Sequence, residues 1–211
     1  MEQDMNSQPY EPRLHQLVIY RSILCDDLLQ QLQEIISGNA SEYLRYDVTA
    51  RLIAKAEELG LAGDIWKKYI VYLLAWDENV FSRTVEKNGG IIGESLRQAA
   101  IHDLTIWQEL LTRDDVLAGE ELALIHDFAP TRAGTPASDG RIFDSLLSAL
   151  CQLPPAQMVD TLVQHYGTYG SGQIAAFPAF RWDEEKGLEG IRHPEIVSLQ
   201  DIVGYEAQKE I

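Results

Sequence analysis

The stretch ESLRQAAIHDLTIWQELL, Glu94–Leu111, decides the fold. Leu96, Ala100, Leu104, Trp107 and Leu111 recur at intervals of four, four, three and four, which lines them along one side of an α-helix. No proline or glycine interrupts the run, so a long amphipathic helix is predicted there. Moving toward the N-terminus, Asn88-Gly89-Gly90 marks a turn, and a short helical piece carrying Phe81 and Val85 precedes it. Asp64 is placed to cap a helix running to Trp76, and Ile65, Trp66, Tyr69, Ile70, Leu73 and Leu74 leave that helix almost no polar face. It is expected at the centre.

Two further helices lie upstream. Leu24, Leu28, Leu32 and Ile35 form one stripe ended by Gly38, and Leu44, Val48, Leu52, Ala56 and Leu59 form another ended by Gly60. Downstream of Leu111, the second half of the stretch from Asp114 to Phe128 reads as helical. Pro130 to Gly140 reads as an exposed loop, and helices are expected from Arg141 to Cys151 and from Pro155 to Tyr166. After Gly167 the helical period disappears, and only short extended segments around Ile174 to Trp182 are expected. The fold class is therefore mainly α, a multi-helix, bundle-like domain followed by an irregular linker. Its expected organisation is a disordered polar tail over 1–12, an α-helical domain over 13–168, and linker from 169. The expected core is Leu28, Leu32, Leu52, Ile70, Leu73, Leu104, Trp107, Leu146 and Leu162.

With 211 residues, 45% of them hydrophobic, the chain is long enough to bury roughly 70% of its unfolded surface without staples. Its two cysteines, Cys25 and Cys151, form no CxxC pair, and the polar start, Met1 to Pro12, lacks the apolar core of a signal peptide. A cytoplasmic location follows as an expectation. The longest apolar run, Tyr69 to Trp76, is far short of the ~20 residues that span a bilayer, so no membrane association is expected. A net charge of −16 repels nucleic acid, and no local basic patch offsets it.

Two constellations offer chemistry. His102-Asp103 and His126-Asp127, with Asp160 as a fourth candidate, carry the donor types of a metal site in a helical phosphohydrolase. Against this stands the ordinary reading of both histidines as helix-surface or helix-boundary residues. Gly170-Ser171-Gly172-Gln173-Ile174-Ala175 fits GxGxxA, but a dinucleotide fingerprint leaves a strand, and here a helix precedes it. Motifs of the GxSxG, HExxH and GxxxxGK[ST] types are absent from the sequence.

The last thirty or so residues carry a more specific pattern: Phe180-Arg181-Trp182-Asp183, Gly187-Leu188-Glu189-Gly190-Ile191, His193-Pro194, and Leu199 through Asp201-Ile202-Val203-Gly204-Tyr205 to Gln208-Lys209. This string resembles the predicted AAA+ ATPases of the bacterial domain-of-unknown-function 815 family. Upstream, Tyr20-Arg21-Ser22-Ile23-Leu24, Glu78-Asn79-Val80-Phe81-Ser82 and Ala100-Ile101-His102-Asp103-Leu104 are also similar to the family's helical N-terminal region. The resemblance implies that 169–197 is a linker and that 198–211 begins an AAA+ module, cut before its phosphate loop. Ile202, Val203 and Gly204 would then line an adenine pocket once the rest of that module is present. No cofactor is expected in this chain, with ATP and magnesium belonging to the full-length protein. The implied role is a non-catalytic interaction or regulatory region whose partners are its own AAA+ module, other proteins or neighbouring subunits. The alternative is a self-contained metal-dependent phosphohydrolase using His102, His126 and Asp127.

Overall fold

A computed structural model of the chain describes residues 11–113, 117, 120–131, 139–177, 179–185 and 187–191. The segment 192–211, with Ile202, Val203 and Gly204, lies outside the described residues, as do 1–10 of the tail and most of the loop between Pro130 and Gly140. The chain divides between Ser171 and Gly172 into two units.

The first unit is helical, as its periodicity requires. Its helices are α1 (Asp27–Ile36), α2 (Glu42–Leu59), α3 (Ile65–Trp76), α4 (Val80–Lys87), α5 (Glu94–Leu111), α6 (Asp139–Gln152) and α7 (Pro155–Tyr169). Three 3-10 segments, Arg13–Gln16, Tyr20–Cys25 and Glu120–Ile125, complete it. The central helix is α3, which packs against α2, α6 and α7, while α5 packs against α6 and α7. No described helix is long and apolar enough to cross a membrane.

The expected core residues are buried except Leu73, which is half-buried because Leu74 takes the inward position on α3. The first helix begins later than its leucine stripe implied. Asp26 accepts from the Leu29 amide at 2.8 Å and starts α1, leaving Leu24 in the preceding 3-10 turn. A capping box opens α4, with Asn79 accepting from the Phe81 and Ser82 amides and Ser82 Oγ accepting from the Asn79 amide. Gly89, at φ 59°, ends the same helix and lets the Gly90 amide reach back to Val85 O at 2.8 Å. Asp64 does precede α3, but its carboxylate makes no cap and turns instead toward Lys67 and His126.

The second unit holds a short helix, α8 (Gly172–Ala176), and an antiparallel hairpin of β1 (Ala179–Asp183) and β2 (Gly187–Ile191). Trp182 pairs with Leu188 and Phe180 with Gly190. The Asp183 carboxylate accepts from the Glu185 amide to shape the turn, and Gly187 leaves it at φ 78°. Two strands alone are marginal in water, so ring packing on the hairpin matters. Phe177 stacks edge-on to Phe180 and covers Gly190, where a Cβ would fall 2.7 Å from Phe177 Cδ1. Gly190→Ala is therefore expected to displace the Phe177 ring and destabilise the hairpin by about 1–3 kcal/mol. Cross-strand NOEs between Trp182 and Leu188 report this, and a hairpin that keeps them at full intensity contradicts the account.

Candidate functional site

Four buried polar side chains, Asp103, Tyr20, Tyr166 and His165, sit in one connected region. Asp103, on α5, is fully buried, and its carboxylate accepts from the amides of Val18 at 3.0 Å, Ile19 at 2.7 Å and Tyr20 at 3.0 Å. These amides open the Tyr20–Cys25 turn, whose donors would otherwise be unsatisfied in the interior. Tyr20, also fully buried, donates to the Tyr166 hydroxyl at 3.1 Å, because Tyr166 uses its own proton on Leu74 O at 2.6 Å. Burial holds both phenols well above their ordinary titration range.

Beside them His165 donates its Nε2 proton to Ala75 O at 3.1 Å, with its ring against Trp76, Tyr166 and Tyr169. The carbonyl can only accept, so this bond fixes the tautomer. Burial lowers the His165 pKa below that of free histidine, and the bond to Ala75 offsets this only in part. Three upstream segments, 100–104, 20–24 and 78–82, meet in this region. Asp103 comes from one, Tyr20 from another, and Phe81, edge-on to Tyr166 with ring centroids 5.7 Å apart, from the third.

The residues singled out for metal chemistry do not converge on one site, although His102 Nε2 lies 4.0 Å from its neighbour Asp103 Oδ1. His102 is exposed and bonds to Gln16 O, while Asp160 pairs with Arg97 at 2.7 Å, which lowers its pKa. His126 bonds to Leu117 O and lies 3.6 Å from Asp64, whose own pKa is raised by burial, with Lys67 and His126 opposing. Asp127 is exposed. Among the described residues, no three His, Cys, Asp or Glu side chains come together as a metal site. The GxGxxA glycines follow α7 and lead into a helix of five residues, so no strand delivers them.

A concavity that periodicity alone does not reveal lies where the end of α4 meets the end of α7. It is a groove of about 360 Å³ with Val85 and Val163 as its apolar lining and Glu86, Gln164 and Thr168 as its polar lining. Gly89, Gly90 and Gly167 add bare backbone. Gly89 and Gly90 have left-handed conformations that the turn demands. Gly167 is different: it sits within α7, and a Cβ there would meet open space.

Two outcomes are expected from the buried groups. Asp103→Asn replaces an acceptor-only group with one that brings its own donors against three amides, and should destabilise the fold by about 3 kcal/mol in urea melts. A loss under 1 kcal/mol, on the order of one ordinary hydrogen bond, would contradict the assigned role. His165 binds its proton less readily folded than unfolded, so its stabilising contribution is complete above its unfolded pKa, near 6.5, and declines as pH falls through the lower folded value. The slope is at most about 1.4 kcal/mol per pH unit, and His165→Gln should flatten it between pH 7.5 and 5.5. No family model, curated protein or solved structure matches this chain.

Proposed function

We propose that the chain is a non-catalytic interaction region, working in the cytoplasm ahead of an AAA+ ATPase module. The observation that carries the reading is how the interior acids and bases are engaged. Asp103, His165 and Tyr166 all hold backbone groups in place, so the interior serves as a scaffold. What this scaffold displays at its surface is suited to binding: Tyr43 and Tyr46 stand exposed on the first turns of α2, and the second unit exposes Trp182 and Leu188. Exposed aromatic side chains are the residue types that anchor protein interfaces. The link to a motor rests on the Phe180 to Lys209 string and its similarity to the domain-of-unknown-function 815 ATPases.

Nucleotide handling tests that link. Affinity for a triphosphate comes chiefly from loop amides, a lysine and magnesium around the phosphates, and the sequence contains no GxxxxGK[ST] loop to supply them. Calorimetry of the 211-residue chain with ATP and magnesium is expected to show no micromolar binding. A chain extended through a following phosphate loop is expected to bind and hydrolyse ATP. Micromolar binding by the 211 residues alone, or an extended chain without nucleotide affinity, would overturn the reading.

A further inference from the structure

We infer that the groove between α4 and α7 is a binding site for an arginine side chain presented on an extended segment of a partner protein. This assignment deepens the interaction-module reading and rests on it. Val163, half-buried, offers apolar surface for an aliphatic stem, with the fully buried Val85 forming the floor beneath it. Glu86 and Thr168, both exposed, and Gln164 offer carboxylate, hydroxyl and carboxamide oxygens to a planar cation with five donors. An anion would meet Glu86 on a molecule already at −16, whereas a basic segment is drawn toward it.

The glycines are the second, independent observation. Glycine within a helix costs up to about 1 kcal/mol relative to alanine, and neither torsion nor packing demands it at position 167. A bare helix surface there lets a partner's main chain come closer than a methyl group would allow. At about 360 Å³, the groove holds one side chain and its flanking peptide units, near the lower limit of pre-formed ligand sites.

The test is an amide NMR titration of the 211-residue chain with the blocked peptide acetyl-Gly-Arg-Gly-amide. Its citrulline counterpart serves as a neutral isostere and free arginine as the non-peptide source. The arginine peptide is expected to give saturable shifts at Glu86, Gly89, Gln164, Gly167 and Thr168, with citrulline, free arginine and the Glu86→Gln variant each at least about tenfold weaker. Gly167→Ala separates recognition from folding, because its Tm should stay the same or rise while peptide affinity falls about tenfold. Equal binding of citrulline or free arginine, shifts scattered over the acidic surface, or unchanged affinity in Gly167→Ala would each overturn the assignment. Those results leave the nucleotide test of the extended chain untouched, so failure of the groove and failure of the motor link are distinguishable.

Discussion

Asp103 faces no solvent and gathers the amides of Val18, Ile19 and Tyr20 around a single carboxylate. Removing a carboxylate from water costs several kcal/mol, and charge-assisted bonds from three converging amides are what offset it. The same contact fixes where the N-terminal segment lies on α5, and thereby where Tyr20 enters the core. From Tyr20 a chain of hydrogen bonds runs through Tyr166 to Leu74 O, tying α7 to the last turn of α3. The two hydroxyl bonds of this chain polarise one another, while the Asp103 contact supports them by fixing where Tyr20 sits. His165 adds a parallel tie from α7 to Ala75 O. The last turn of α3 is therefore held by two side chains from one helix.

Much of this architecture was legible. The stripes in α2, α3 and α5 named their buried faces, and Gly38, Gly60 and Asn88-Gly89-Gly90 marked the turns between helices. What escaped has physical reasons. The leucine stripe beginning at Leu24 was continuous with α1, but Asp26 competes locally for the Leu29 amide and restarts the helix there. The hairpin was hidden because glycine at 187 and 190 dilutes the alternation, and Gly190 is explained only by the Phe177 ring lying over it. Gly167 read as a helix end, yet α7 continues to Tyr169, a single glycine costing too little to break a helix with buried faces.

The candidate site was less legible than the fold. His102-Asp103 drew attention as a ligand pair, and His102 Nε2 does lie 4.0 Å from Asp103 Oδ1, but His102 is exposed and bonded to Gln16 O while the Asp103 carboxylate is buried and taken up by backbone amides. Adjacent residues on a helix point about 100° apart, which favours such division over joint ligation. The groove was invisible for another reason: its two sides come from α4 and α7, far apart in sequence and joined only by packing. A signal did exist in Gly167, an exposed helical glycine with no internal reason to be one.

The reach of the N-terminal ties bears on how the protein is made. Tyr20 is separated from its Asp103 acceptor by 83 positions and from Tyr166 by 146. A ribosome adding roughly 5–20 residues per second needs on the order of 10–30 s to produce that last partner. During this interval Leu14, Leu17, Ile19, Tyr20 and Ile23, all buried at the end, have no finished surface to enter. The nascent chain thus exposes this apolar segment until Tyr166 has emerged, the kind of surface that chaperones occupy. Helices that could each form in microseconds must wait for the slowest closure, and translation speed sets when that closure can occur.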